Sequence, residues 1–250
     1  EKINLDGSPK PSSPSIYSIV EDAHQNIYVA AASIGIYRID STRRNIKLYS
    51  PQANASDPST NSMRNAWITC LFLRDSKLYF GTYDGLGCLD LETESFIETF
   101  GANSLFNGAV VYALCDDYQG QLWIGTSAGL IRLNKNIFRS SVYNKSDGFF
   151  NNSVSSLESD AEGNIWISTN HGLSCFDIAS GELSHYSADD GLQCNEFSHM
   201  ASIACADGSM VFGSTSGIVS FKPTELIPDY TKPQVSIADI YLNGKPIRQG

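Results

Sequence analysis

The chain has 250 residues, 42% of them hydrophobic, with 27 acidic side chains against 17 basic ones and a net charge of −10. Such a chain can bury a sizeable core, so disordered and fibrous classes are excluded. Arg43 and Arg44 are the one adjacent basic pair, which leaves no phosphate-neutralising stripe for nucleic acid. No apolar run approaches the roughly 18–20 residues that span a bilayer.

In chain order, EKINL (1–5) reads as an outer strand, and NIYVAAASIGIYRID (26–40) as two strands around a turn. PQANASDPSTNSMRNA (51–66) is an insertion rich in Pro, Asn and Ser. The two-strand pattern then returns as KLYFGTYDGLGCLD (77–90), QLWIGTSAGLIRLN (121–134), NIWISTNHGLSCFD (164–177) and SMVFGSTSGIVSFK (209–222). The anchors Tyr28, Tyr79, Trp123, Trp166 and Val211 follow one another at 51, 44, 43 and 45 residues, and Gly35, Gly85, Gly129, Gly172 and Gly217 keep nearly the same steps. A period in the mid-forties carried by short β-rich segments predicts an all-β chain, a β-propeller of four-stranded blades.

The third copy predicts strand A over 111–115, B over 121–126, C over 130–133 and D over 138–143. Strand C is apolar on both faces in most copies, as a blade sandwiched between neighbours requires, and Trp123 and Trp166 are expected to fill the space between blades. Turns such as Asp116-Asp117-Tyr118-Gln119-Gly120 and Asp160-Ala161-Glu162-Gly163 read as hairpin connections, their acids as turn formers and not metal ligands. The six cysteines form no CxxC, and five lie inside strand patterns, so they read as packing residues. No metal or cofactor is called for. The repeats close near residue 228, and 229–250 reads as a linker and the first strand of a following β-sandwich, with a hairpin signal at Asn243-Gly244.

The segments 110–134 and 153–177, the loop DGLQCNEF (190–197) and the closing FGSTSGIVSFKP (212–223) resemble the two-component regulator propeller repeats of bacterial hybrid two-component sensors. The segment from Pro233 resembles the start of the Tyr-rich sandwich that follows the last blade in that family. The resemblance implies a periplasmic sensor region that recognises an oligosaccharide and signals through the sandwich and a membrane helix to a histidine kinase in a phosphorelay. It also implies a seven-bladed ring of which five repeats are visible, with a five-bladed ring as the alternative. The chain departs from the pattern at Val211, where an aromatic anchor is expected, and at Ser168, which stands where Gly81, Gly125 and Gly213 stand in other copies.

In a propeller the B–C and D–A loops open on one face around the axis. Here they supply Arg64, Trp67, Tyr83, Asp84, Asn170, His171, Asn195 and Glu196 as the predicted ligand-binding set, with Asn65, Phe149, Asn151, Asn152, Gln193, Phe197, Thr215 and Ser216 on the same loops. Rings beside amides and carboxylates are what a sugar needs, apolar faces to stack and polar groups to bond hydroxyls. Two other readings compete. One is a lyase resembling those that open streptogramin antibiotics, using Glu196, His199 and His171 as acid and base; the other is a protein-binding propeller. The sensor reading makes the chain no enzyme, with an oligosaccharide or small ligand, neighbouring domains and a possible homodimer partner.

Overall fold

The computed structural model describes residues 15–50, 65–97, 105–106, 108–134, 139–226, 241–242 and 245–246. Blade 1 is built from β1 (Ile16–Glu21), β2 (Ile27–Ala31), β3 (Gly35–Ile39) and β4 (Ile46–Tyr49). Blade 2 follows with β5 (Ile68–Arg74), β6 (Lys77–Thr82), β7 (Gly85–Asp90) and β8 (Ser95–Ile97). Blade 3 has β9 (Val111–Asp116), β10 (Leu122–Thr126), β11 (Gly129–Asn134) and β12 (Arg139–Tyr143), and blade 4 has β13 (Val154–Ser159), β14 (Asn164–Thr169), β15 (Gly172–Asp177) and β16 (Leu183–Tyr186). Blade 5 comprises β17 (Phe197–Ala204), β18 (Met210–Ser214) and β19 (Gly217–Phe221). Each blade is an antiparallel meander in sequence order, and the inner strands β1, β5, β9, β13 and β17 pack successively against one another, as in a propeller. Beyond them, β20 (Tyr241–Leu242) pairs with β21 (Lys245–Pro246). The expected linker at 229–240 and the turn Asn243-Gly244 lie outside the described residues.

The two-faced character of the strands has a simple origin. Along strand B the anchor faces the next blade while its flanking residues face the previous one. Trp123 packs with Val154, Leu157, Ile165 and Ile167 of blade 4, whereas Leu122 and Ile124 pack with Tyr79, Leu86 and Cys88 of blade 2. Four such clusters fill the four spaces between blades.

Three of the anchors are tied down by the acids of the A–B turns. Asp117 Oδ2 accepts from Trp123 Nε1 at 2.9 Å, Asp160 Oδ2 from Trp166 Nε1 at 2.8 Å, and Asp22 Oδ2 from the Tyr28 hydroxyl at 3.2 Å. Their other oxygen accepts a turn N–H, from Gln121, Asn164 and Asn26 respectively. One carboxylate thus forms the turn and satisfies the ring's buried donor, which would otherwise be left unpaired in the core. In blade 5 both partners change together, with Cys205 in the turn and Val211 as the anchor.

At the other end of strand B, Thr82, Thr126, Thr169 and Ser214 donate to the carbonyls of Gly85, Gly129, Gly172 and Gly217. Each also accepts the N–H of the residue before that glycine. This hydroxyl clasp sets the B–C turns on which Tyr83, Asp84, Asn170 and His171 sit. Ser168, which departs from the repeat, is accommodated by a 2.6 Å hydroxyl pair with Ser156 in the core.

Candidate functional site on the loop face

The D–A loops of blades 3 and 4 are the same device built twice. Asn144 and Ser187 cap the short 3₁₀ turns Lys145–Asp147 and Ala188–Asp190, whose Asp147 and Asp190 return the bond, and Gly148 and Gly191 end them in the left-handed region. Asn152 Oδ1 then accepts the Lys145 N–H at 2.8 Å, and Asn195 Oδ1 the Ala188 N–H at 2.7 Å. The loops therefore turn back on themselves and drive their aromatics inward: Phe149 (4% exposed) and Phe197 (5%) are core residues of the blade 3–4 and blade 4–5 spaces, not parts of an open face. The carbonyl of Asn195 builds the loop, while the side chain of Glu196 is exposed with no partner among the described residues.

Two groups of predicted residues do come together. Trp67 and Tyr83 meet edge to face, ring centres 5.4 Å apart, and both stay open to solvent at 47% and 45%. Asn65 Oδ1 accepts the Trp67 N–H at 2.8 Å and Tyr83 N donates to the Trp67 carbonyl at 3.3 Å, so backbone contacts hold the pair. In blade 4, His171 Nδ1 lies 2.8 Å from Asn170 Oδ1 and 3.0 Å from Asn151 Nδ2, which itself donates to Asn170 Oδ1 at 2.7 Å. This polar cluster joins a D–A loop to a B–C loop. His171 is thereby engaged by amides, not by Glu196 or His199. Asp84 is exposed beside Tyr83, and Arg64 lies outside the described residues.

Two residues outside the predicted ligand set also belong here. Tyr112 of β9 and His199 of β17 stack face to face, ring centres 4.0 Å apart and 19° from parallel. Burial, and then the nearby Tyr83, push the Tyr112 phenol up, and burial pushes the His199 imidazole down. In the sequence Tyr112 is an ordinary strand position, and His199 enters only the lyase-like reading. A groove of about 250 Å³ between blades 4 and 5, lined by Leu173, Tyr186, Leu192, Val219 and Phe221, carries none of the predicted ligand-binding set.

His185 is likewise held below its ordinary value by burial, against the opposing bond to the Gly148 carbonyl, and it stacks on Phe150 at 4.1 Å. A histidine that resists protonation in the fold but not in the unfolded chain makes acid destabilising, because the unfolded state then binds more protons. Stability is therefore expected to fall as pH drops below about 6.5, the free imidazole value, before the carboxylates titrate. Urea unfolding at pH 7.5 and 5.5 checks this, and the fall should shrink in His185→Gln; a flat profile between those values would contradict it.

Residues 104–128 and 148–171 match the two component regulator propeller family, one segment ending after strand B of blade 3 and the other in the B–C turn of blade 4. Among solved structures, the extracellular domain of a protein described as a hybrid two component system of B. thetaiotaomicron aligns with TM-score 0.73 at 21% identity, covering 84% of this chain and 28% of that one. A second extracellular domain so described, from the same organism, aligns with TM-score 0.64 at 20% identity, covering 85% and 28%. Virginiamycin B lyase from Staphylococcus aureus aligns with TM-score 0.61 at 14% identity, covering 84% and 70%. The chain thus spans 28% of the length of the two sensor-type structures. Among curated proteins none matches it. No helix among the described residues is long and apolar enough to cross a membrane. The described residues form five blades of an all-β propeller, and the third and fourth match the two-component regulator propeller repeats.

Proposed function

We propose that these blades are part of the ligand-sensing, extracytoplasmic region of a hybrid two-component sensor, where they recognise an oligosaccharide without turning it over. The signal passes to a histidine kinase through a following β-sandwich that begins within 229–250. The observation that carries the reading is the exposed Trp67–Tyr83 ring pair on the loop face. The solvent-open rings with neighbouring Asp84 supply the apolar half of sugar recognition, and the amides of Asn170 and Asn195 and the carboxylate of Glu196, on other B–C and D–A loops, supply the hydrogen-bonding half. The repeats in blades 3 and 4 support the sensor class, as does the likeness of the fold to extracellular domains of two-component systems. Exposed Ile16 and Ile19 on β1 support a larger ring in which another blade covers that inner strand.

Calorimetry of the full chain with a panel of oligosaccharides, run beside a product assay on the same mixtures, tests the function. Saturable binding with the ligand recovered intact is expected, weakened about tenfold or more by Trp67→Ala and also lowered by Glu196→Gln, with folding unaffected because both side chains are exposed. Cleavage that depends on Glu196 and His199 would replace the sensor by the lyase-like reading.

A further inference from the structure

Every inner strand carries a register break at the same place, just after its first paired residue. In blades 1 to 4 a single residue is bulged there: Tyr17 between Ile16 and Ser18, Thr69 between Ile68 and Cys70, Tyr112 between Val111 and Ala113, and Ser155 between Val154 and Ser156. Blade 5 differs. Phe197 pairs with Ser214 and Ser202 with Phe212, so the four residues Ser198 to Ala201 stand against Gly213 alone. Met200 takes the extra length at φ 58°, in the left-handed region. Bulges re-aim side chains and accumulate at the rims of sites. The larger one throws His199 past blade 4 onto the bulged Tyr112 of blade 3.

The first residue of each inner strand pairs with the last residue of strand B, where the B–C turn starts, so these bulges lie at the loop-face end of the inner strands. The Thr69 hydroxyl of blade 2 donates to the Val111 carbonyl of blade 3, which ties the start of β5, two residues beyond Trp67, to the backbone just before Tyr112, and Trp67 meets Tyr83. Two ring pairs, Trp67–Tyr83 of blade 2 and Tyr112–His199 of blades 3 and 5, thus stand at the loop-face end of the inner strands. Neither the Tyr112 hydroxyl nor the His199 imidazole has a hydrogen-bond partner among the described residues, and His199 is exposed.

We infer that Tyr112 and His199 complete, with Trp67 and Tyr83, a ring-binding wall at the axial mouth, and that it seats the apolar face of an uncharged sugar ring. This inference rests on the ligand-sensing reading and adds its contact residues and ligand charge. A sugar fits because its C–H face stacks on the rings while its hydroxyls meet the free phenol, the imidazole nitrogens and the neighbouring amides. An acidic sugar is disfavoured: Asp84 and Glu196 have no cation against them among the described residues, and the chain carries a net charge of −10.

Of the three tryptophans, Trp123 and Trp166 are buried, so a change in the emission of exposed Trp67 reports on the wall. The full chain is titrated with neutral arabino-, galacto-, xylo- and manno-oligosaccharides and with oligogalacturonate. A neutral oligosaccharide is expected to shift Trp67 emission. Tyr112→Ala should weaken that binding about tenfold, His199→Phe should keep most of it, and oligogalacturonate should not bind. The imidazole protons of His199 should lose their ring-current shift in Tyr112→Ala, with circular dichroism unchanged. Neutral sugar binding that is undiminished in Tyr112→Ala, or tight binding of oligogalacturonate, overturns the wall and leaves the sensing reading standing. Failure of every sugar to bind overturns both.

Discussion

Replacing Trp123 by alanine is expected to lower the free energy of unfolding by about 3–5 kcal/mol, as for a core aromatic that leaves a cavity. The ring is fully buried, lies nearly parallel to Tyr143 at 5.9 Å, touches Phe176 at 5.5 Å and carries the Arg132 guanidinium over it at 5.2 Å. Its removal also strips Asp117 Oδ2 of the indole donor in a nearly closed site. Asp117→Ala isolates that second effect: the ring stays, but its N–H is orphaned and the turn loses its bond to Gln121, costing about 1–3 kcal/mol. Urea unfolding followed by circular dichroism measures both, and a Trp123→Ala loss under about 1 kcal/mol would mean that the indole does not organise the space between blades.

Alanine at Gly172 is expected to cost more than alanine at the equivalent Gly217. Both glycines open strand C in a conformation that side chains rarely adopt, φ 128° and 134°, and that strain alone is worth about 1–3 kcal/mol. At Gly172 a Cβ would also stand 2.6 Å from the Tyr186 carbonyl oxygen on strand D; Gly35 and Gly129 face the carbonyls of Tyr49 and Tyr143 in the same way. Among the described residues nothing lies within 4 Å of a Cβ at Gly217. The difference between the two variants therefore measures the collision with the Tyr186 carbonyl together with that against the Phe150 ring, 3.0 Å from the same Cβ. Equal losses would show that the repeat glycine is kept for its backbone angle and not for the closeness of the outer strand.

Much of the fold was legible because its determinants are local and recur. The anchor, the acid six residues before it in blades 1, 3 and 4, and the glycine six or seven residues after it lie within one hairpin and a half, so they survive in the linear text. The acids of the A–B turns read correctly as turn formers for this reason, and the strands of blade 3 fall within a residue or two of their expected places. The site was harder. Phe149 and Phe197 lie in loop sequence, yet the capped 3₁₀ turns before them send both rings into the core. The pairing of Tyr112 with His199 depends on how many residues a bulge absorbs and on the angle between blades 3 and 5, and neither leaves a periodic mark. Asn195 shows the ambiguity of a single amide: its carbonyl serves the loop, and only its NH₂ remains for anything else.

Each of the four hydrophobic clusters belongs to two consecutive blades and to neither alone. Blades 2, 3 and 4 are therefore gripped on both sides, whereas each outer blade shares one described cluster. Stability in such an array is set by nearest-neighbour coupling along a line. Opening an interior blade dissolves two interfaces at once, while an end blade opens at the cost of one. Within the described blades, the backbone amides around Trp123 are therefore expected to exchange more slowly than those of β1 and β17. Among the described blades, a change in the bulge-bearing fifth is felt first by the fourth across their one shared cluster, and it reaches the central three only through that interface.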